Sequence, residues 1–139
     1  MRVFAMLVGV FCLGMAEDKK EIALLDGTWT MVSGEAGGQA MPAEMVKTGK
    51  RVAKDGETTV TFGDKVYLKA TYTVDATKKP KTIDYKMTEG TTKGMTHLGI
   101  YELDGDTVKF CFAAPGMERP TEFKSKDGIT LSVWKREKK

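Results

Sequence analysis

The stretch KVYLKATYTV, residues 65–74, alternates between apolar and polar side chains. One face of this stretch carries Val66, Leu68, Ala70, Tyr72 and Val74, and the other carries Lys65, Lys69, Thr71 and Thr73. Because neighbouring side chains of a β-strand point to opposite faces, a period of two residues indicates a strand with one face in a core. The stretch therefore predicts a half-buried antiparallel strand.

The same period recurs on both sides of this stretch. It is seen at Thr58, Val60 and Phe62, at Ile83, Tyr85 and Met87, at Val108, Phe110 and Phe112, and at Ile129, Leu131 and Val133. Asp-Gly pairs at 55–56, 104–105 and 127–128, and Gly-Asp at 63–64, favour the tight turns of hairpins. We therefore predict an all-β antiparallel meander of about 8 to 10 strands, closed into a barrel because closure removes exposed edges.

One segment departs from this period and predicts a short helix after the first strand. In MPAEMVKTG, residues 41–49, a proline suits the first helical turn and a glycine suits the stop. Met41, Met45 and Val46 would lie on one side of this helix. A glycine-rich segment leads into it, and we expect both to guard the mouth of the barrel.

The two ends of the meander carry a pair of residues that would close it. DGTWTMVS, residues 26–33, opens the first strand, and Arg136 lies near the end of the last strand. First and last strands are neighbours in a closed meander, so the guanidinium is expected over the Trp29 ring, a contact worth about 0.5 to 2 kcal/mol. Gly27 would let the backbone turn tightly beneath that ring.

This Gly-x-Trp motif and the basic residue on the last strand are similar to those of the lipocalin-like, or calycin, superfamily. A longer series, LDGTWTMVS, YTVDATKKPKTIDY, GIYELDGDTVKFCFA, PGMERPTEF and LSVWKRE, resembles an uncharacterised lipocalin-like domain family expanded in planctomycete bacteria. The resemblance implies a lipocalin-like barrel and an exported location. It implies no activity and no site residues.

The N-terminal stretch MRVFAMLVGVFCLGMA, residues 1–16, predicts a cleavable signal peptide. Arg2 precedes an apolar run, and small residues precede the cleavage point. The run is shorter than the roughly 20 apolar residues of a membrane span. We therefore divide the chain into a signal peptide, 1–16, and a lipocalin-like β-barrel domain, 17–139. The mature protein is expected to be periplasmic or secreted, without stable membrane insertion.

Composition narrows the class of function. The chain of 139 residues, 41% of them hydrophobic, suits one domain. Its net charge of +3 falls to +2 without Arg2, which is too small a surplus to indicate nucleic-acid binding. Cys12 belongs to the predicted signal peptide, so Cys111 is alone in the mature chain and no intramolecular disulfide can form. The fold must depend on packing.

The single histidine, His97, is the candidate for a metal site. With Met95 nearby, and Cys111 and Met117 elsewhere in the chain, it could contribute to a soft site for copper. The methionines are scattered and there is no second histidine, so an ordinary histidine at a strand end is the favoured interpretation. We predict no metal and no cofactor.

Four carboxylates and the cysteine are the candidates for catalysis. Asp84, Glu102, Glu118 and Glu122 could supply an acid–base pair, but solvated surface charges explain them. Cys111 would face away from the phenylalanines on either side of it, and no sequence signal supplies a partner base. We predict that the protein is not an enzyme.

Two basic runs, ATKKPKT at 76–82 and KREKK at 135–139, could contact acidic polysaccharide or anionic lipid head groups. A lysine-rich turn and a frayed tail are the favoured interpretation of these runs. We expect no nucleic-acid partner.

The inward face carries the functional prediction. The side chains expected inside the barrel are Val60, Phe62, Leu68, Tyr72, Tyr85, Met87, Phe110 and Phe112. If they interlock, the barrel is a filled scaffold; if they leave a gap, it holds one small ligand, since barrels of about eight strands lie at that boundary. We predict a monomeric, non-catalytic protein that binds a small hydrophobic ligand. A filled protein-interaction or envelope-scaffold module with an envelope protein as partner is the alternative, and a hydrolase or metal-binding protein is third.

Overall fold

The computed structural model describes residues 18–138, which form nine strands and two short helices. In chain order the elements are α1 (18–24), β1 (Gly27–Ala36), β2 (Gln39–Ala40), α2 (Ala43–Lys47), β3 (Gly49–Lys54), β4 (Glu57–Phe62), β5 (Lys65–Asp75), β6 (Lys81–Glu89), β7 (Thr96–Asp104), β8 (Thr107–Ala113) and β9 (Ile129–Arg136). The predicted signal peptide lies outside the described residues. Within 18–138, no helix has the length and apolarity to span a bilayer.

The strands form one antiparallel sheet that closes on itself. From β3 to β9, each strand pairs with the next one along the chain. β1 pairs with β3 on one side and with β9 on the other, and this second pairing closes the barrel. The two residues of β2 pair only with the end of β1. The predicted all-β barrel, with one short helix after its first strand, is confirmed.

The hairpin between β3 and β4 shows why the Asp-Gly pairs predict turns. Asp55 and Gly56 have φ angles of 51° and 80°, the left-handed region that a two-residue hairpin turn requires. The pair at 127–128 also forms a turn, but it lies just before β9 and does not join β9 directly to β8. A long connection, residues 114–128, lies between those two strands; we call it the outer strap.

The apolar face predicted for β9 packs in a cluster outside the barrel and does not face the interior. Thr130, Ser132 and Trp134 pair with Phe112, Phe110 and Val108 of β8 and share their inward face. Ile129 and Leu131 instead belong to a small outer cluster with Cys111. The outer strap packs against this cluster through Phe123. An outer face covered in this way carries apolar residues, and the alternation alone does not distinguish it from the inner face.

Val66 departs from the buried face that the alternation over residues 65–74 predicts. The register between β4 and β5 shifts after Val60, which pairs with Leu68, whereas Thr61 pairs with Val66. The extra residue, Tyr67, forms a β-bulge, and a bulge disturbs the alternation of side chains on its strand. Val66 is consequently 50% exposed, whereas the alternation holds from Leu68 onward.

One end of the barrel is closed by contacts between β1, β9 and α1. Trp29 is fully buried, and its indole Nε1 donates a hydrogen bond to the Leu25 carbonyl at 3.1 Å. The Arg136 guanidinium lies 4.2 Å from the centre of the Trp29 ring. Its Nη1 donates a hydrogen bond to the carbonyl of Asp26, which follows α1. Its Nη2 donates to the carbonyl of Leu24, the last residue of α1. Gly27, with φ of 133°, lies directly beneath the guanidinium.

The helix α1, which the sequence analysis does not predict, adds a polar anchor at this closed end. Glu21 is buried and accepts hydrogen bonds from Lys81 Nζ at 2.6 Å and from the Tyr101 hydroxyl at 3.0 Å. Burial, followed by the negative charge of Glu21, raises the pKa of Tyr101. Every polar group named at this end therefore has a partner.

Candidate ligand cavity

The other half of the barrel contains a cavity of about 300 Å³ that is partly open to the outside. Its lining includes loop residues that lie at the end opposite α1, among them Thr91 and Thr92 between β6 and β7, and Pro115 of the outer strap. Met41, just before α2, also lines it. The buried hydrophobic side chains inside the barrel form one cluster, which we call the inner core. Val46 of α2 packs against it, so this helix lies at the same end.

All eight side chains predicted for the barrel interior belong to the inner core or pack against it. Those that line the cavity are Val60, Phe62, Leu68, Tyr85, Met87 and Phe112. Tyr72 and Phe110 are buried in the inner core but do not line the cavity. The rings of Tyr85 and Phe112 lie 4.2 Å apart and form one wall. The cavity wall is therefore largely apolar.

The floor of the cavity holds a charged side chain, Arg51. Alternate residues of β3 are buried, at Gly49, Arg51 and Ala53, and this alternation turns the arginine inward. Arg51 is only 3% exposed and lines the cavity. Its Nη2 is buried and has no hydrogen-bond partner. A buried charge without a polar partner is costly, and such a group points to a role beyond packing.

Aromatic rings surround this guanidinium. Its central carbon lies 4.1 Å from the Phe110 ring centre, 5.3 Å from that of Tyr85 and 6.0 Å from that of Trp134. Burial lowers the pKa of Arg51 to about 9, against a smaller, opposite effect of Tyr72. Because this value is still well above neutrality, the guanidinium is charged at pH 7 and forms cation–π contacts with the rings.

Two tyrosine hydroxyls near the floor are also unpartnered. The hydroxyls of Tyr72 and Tyr85 are buried and have no hydrogen-bond partner. The two rings lie 5.8 Å apart, and the Tyr85 ring also contacts the guanidinium of Arg51. Burial raises the pKa of Tyr72 to about 12. The floor thus combines one cation with one neutral tyrosine that lines the cavity, Tyr85, while Tyr72 lies behind it in the inner core.

His97 lines the cavity, but both of its ring nitrogens have partners. Nδ1 lies 2.9 Å from the Ala113 carbonyl and Nε2 lies 2.9 Å from the Thr92 hydroxyl. These contacts hold the ring between β7, β8 and the loop before β7. Among residues 18–138 there is no group of three or more potential metal-ligating His, Cys, Asp and Glu side chains.

The cysteine lies on the outer face of the barrel. Cys111 is buried beneath the outer strap, with its Sγ 3.5 Å from the Glu122 carbonyl, and burial raises the pKa of its thiol. The Arg119 guanidinium of the strap contacts Asp84 Oδ1 at 2.7 Å and donates to the Gly99 carbonyl at 2.8 Å. These contacts fasten the strap to β6 and β7.

The four candidate carboxylates do not line the cavity. Asp84 pairs with the outer strap, and Glu102 lies 3.9 Å from Lys109 on the next strand. Glu118 and Glu122 are exposed on the strap. The structure does not bring these side chains together as an acid–base pair.

The two basic runs take part in ordinary contacts. Lys81, at the end of the first run, pairs with Glu21, and Arg136 of the second run closes the barrel. Glu137 of the second run lies 3.4 Å from Lys50. None of the described residues of these runs, 76–82 and 135–138, lines the cavity.

Arg51 gives almost no sign of its inward position in the sequence. The only signal is its position two residues after Gly49 and two before Ala53, which places it on the inward face if β3 alternates. Lys50 and Lys54 close by make the arginine resemble one more surface charge.

No protein-family model matches this chain, and no curated protein or solved structure matches it. The resemblance to a lipocalin-like family therefore stays a prediction.

Proposed function

We propose that the protein is an exported, non-catalytic binding protein that holds one small, largely apolar molecule in its barrel. The observation that carries this proposal is the cavity of about 300 Å³ inside the barrel. Ligand sites in proteins begin at roughly this size and are lined mostly by hydrophobic and aromatic side chains. Export is supported by the charge, apolar run and small residues of 1–16.

The volume limits the size of the molecule. One water occupies roughly 30 Å³ of liquid, so the cavity corresponds to roughly ten non-hydrogen atoms. A short aliphatic chain or a single small ring system fits this limit, and a longer chain would extend past Met41 and Thr91 at the mouth. The cavity is too small for a large polycyclic ligand to be wholly buried.

The chemistry of the lining supports binding over catalysis. His97 uses both ring nitrogens in hydrogen bonds, and the Cys111 thiol lies on the other side of the sheet. No aspartate or glutamate among residues 18–138 lines the cavity. A general base or a nucleophile must reach the substrate to act.

A protein-interaction module is the second candidate. Tyr67, which forms the bulge, and its neighbour Val66 are about half exposed near the mouth of the barrel. Exposed apolar groups of this kind can contact a protein partner. The cavity within the same barrel end makes ligand binding the better-supported function.

Native mass spectrometry of the mature protein, purified from its host envelope, followed by organic extraction, tests the first proposal. We expect a discrete added mass that disappears on extraction. As a defined probe, 1-octanol is titrated into the extracted protein and binding is measured by calorimetry. A bare mass together with no uptake of 1-octanol would overturn the proposal and favour the interaction module.

A pair of valine variants shows whether the probe occupies the cavity. Val60 is 5% exposed and lines the cavity, whereas Val52 is 51% exposed on the barrel exterior. Val60→Trp fills part of the cavity and is expected to weaken 1-octanol binding by at least about tenfold, a loss of roughly 1.4 kcal/mol. Val52→Trp adds the same ring outside and should leave binding unchanged. Equal effects of the two substitutions would place the probe elsewhere.

A further inference from the structure

We propose that the ligand carries a carboxylate, which is bound at the cavity floor by the guanidinium of Arg51 and the hydroxyl of Tyr85. This inference rests on the proposed function, because it assigns the chemistry of the ligand head group in the same cavity. The apolar part of the ligand would lie above the floor, against Val60, Leu68 and Met87.

The first argument is the unmet hydrogen-bonding capacity of Arg51. The side chain is more than nine-tenths buried, and its Nη2 has no acceptor. Six ion pairs occur among residues 18–138, and none of them includes Arg51. Buried charges in proteins are normally paired, so the missing anion is the feature that requires an explanation.

The surrounding rings do not remove this need. The contacts with Phe110, Tyr85 and Trp134 place ring faces near the guanidinium carbon. A ring face attracts the positive charge, but it is a poor acceptor for the N–H groups at the edge of the guanidinium. Those N–H groups form a planar fork that matches the two oxygens of a carboxylate.

The tyrosine hydroxyls favour the same ligand. The Tyr85 hydroxyl is buried and has no partner, and its ring lies within 5.3 Å of the Arg51 guanidinium carbon. A hydroxyl can donate to an anionic oxygen, and such charge-assisted hydrogen bonds are roughly twice as strong as neutral ones. A cation beside a tyrosine ring whose hydroxyl lacks a partner is suited to bind one negative charge.

Ligands with other polar groups fit the cavity floor poorly. An ammonium group would face the charge of Arg51 at close range, which is repulsive in a low-dielectric interior. An alcohol could accept one hydrogen bond but would leave the buried charge uncompensated. A small anion without an apolar part would not cover the walls formed by residues such as Phe112.

Calorimetric titration with octanoate, 1-octanol and octylamine, which differ in the head group, tests the inference on the mature protein at pH 7. Hydrogen bonds to charged groups contribute about 1.5 to 3 kcal/mol, so octanoate should bind about 10- to 100-fold more tightly than 1-octanol. Octylamine should bind more weakly than either. Equal binding of octanoate and 1-octanol would overturn the carboxylate inference and leave the proposed function intact. Failure of all three ligands to bind would overturn both.

Variants of the floor make the test residue-specific. Arg51→Met keeps a flexible apolar side chain and should abolish the preference for octanoate while 1-octanol still binds. Tyr85→Phe should reduce octanoate affinity about three- to tenfold, the loss of one hydrogen bond. Lys86→Met removes the same charge from an exposed position on β6 and serves as the control. If Arg51→Met retains the full preference, the head group does not bind at Arg51.

A spectroscopic measurement adds an independent readout. With octanoate labelled at the carboxyl carbon, the NMR shift of that carbon against pH gives the pKa of the bound acid. An opposite charge within a few ångströms lowers a carboxyl pKa by about 1 to 3. We expect the bound acid to titrate at least about one pH unit below the free acid. A bound pKa equal to or above the free value would contradict the contact with Arg51.

Discussion

Replacement of Arg51 by methionine should stabilise the ligand-free protein, although it removes a residue from the centre of the barrel. Burial lowers the pKa of Arg51 to about 9, well below its ordinary value. Each pKa unit corresponds to about 1.4 kcal/mol, so taking this guanidinium out of water costs roughly 4 to 5 kcal/mol. No carboxylate among residues 18–138 forms an ion pair that would offset this cost.

The cation–π contacts with the surrounding rings offset most of the free-energy cost of burying Arg51. A desolvated cation–π contact contributes up to about 2 kcal/mol, and the three rings around Arg51 lie at increasing distances from 4.1 to 6.0 Å. Assigning the full value to Phe110 and about half of it to each of the other two rings gives roughly 4 kcal/mol. The remaining net cost of burying Arg51 is about 1 kcal/mol. The substitution removes this cost, and the apolar packing of methionine stabilises the protein further. We expect Arg51→Met to raise the free energy of unfolding by about 1 to 2 kcal/mol, in line with other replacements of buried charges by apolar residues.

Urea denaturation of the delipidated protein, followed by tryptophan fluorescence, measures this difference. Arg136→Met is the matched control, because Arg136 also lies over an aromatic ring but has two carbonyl acceptors and Asp106 at 3.3 Å. That substitution should lower the free energy of unfolding by about 1 to 3 kcal/mol, since it leaves carbonyls without donors. If Arg51→Met destabilises the empty protein as much as Arg136→Met does, the guanidinium is a structural group and the reasoning about its missing anion fails.

Three further outcomes are expected from other parts of the barrel. Trp29→Ala should lower the free energy of unfolding by about 3 to 5 kcal/mol, because it empties a fully buried position at the closed end; unchanged denaturation would remove the argument for barrel closure. Tyr72 has its pKa raised to about 12 by burial, so its contribution to stability is complete below about pH 10 and is lost as the pH rises toward 12. Relative to Tyr72→Phe, the native protein should therefore lose about 1.4 kcal/mol of stability between pH 9 and pH 11 in urea titrations, and parallel pH profiles would contradict this. The Cys111 thiol should react with an aromatic disulfide reagent at least about tenfold faster in Arg119→Ala, which frees the outer strap by roughly 1.4 kcal/mol; equal rates would show that the strap is held by other contacts.

The closed barrel could be predicted because its signals are local. Alternation of side chains identifies strands one by one, and Asp-Gly pairs such as 55–56 identify the hairpins that join them. Once a meander is established, only closure remains to be decided, and the pairing of Trp29 with Arg136 follows from the adjacency of the first and last strands. Each of these steps depends on a few neighbouring residues.

The errors arose where tertiary contacts override the local pattern. In β9 the apolar residues Ile129 and Leu131 face outward because the outer strap covers them, and no pattern in β9 itself reports that cover. Val66 faces outward because of a single bulge at Tyr67. The described part of α1, residues 18–24, is stabilised by distant groups such as Lys81, so its own sequence gives only a weak signal.

The inward position of Arg51 could not be predicted from the sequence for a related reason. An arginine on an alternating strand predicts a surface position, because charged residues are seldom fully buried without a partner. Only the finished barrel shows that the side chain is inside and that its Nη2 has no acceptor. A violation of a general rule of this kind is where a functional site is expected, since sites often contain groups that packing alone would not favour.

The two ends of the barrel therefore differ in a way that bears on function. At the closed end, Glu21 and Arg136 have their partners within the chain, so that end needs nothing from outside to complete it. At the cavity floor, the Nη2 of Arg51 and the hydroxyl of Tyr85 lack partners, and so does the buried hydroxyl of Tyr72 close by. A fold that only required stability would tolerate an apolar residue at position 51, because the barrel closes without it. The unpaired charge becomes favourable only when an anion occupies the cavity, and this is the physical link between the architecture of the barrel and the ligand chemistry that we propose.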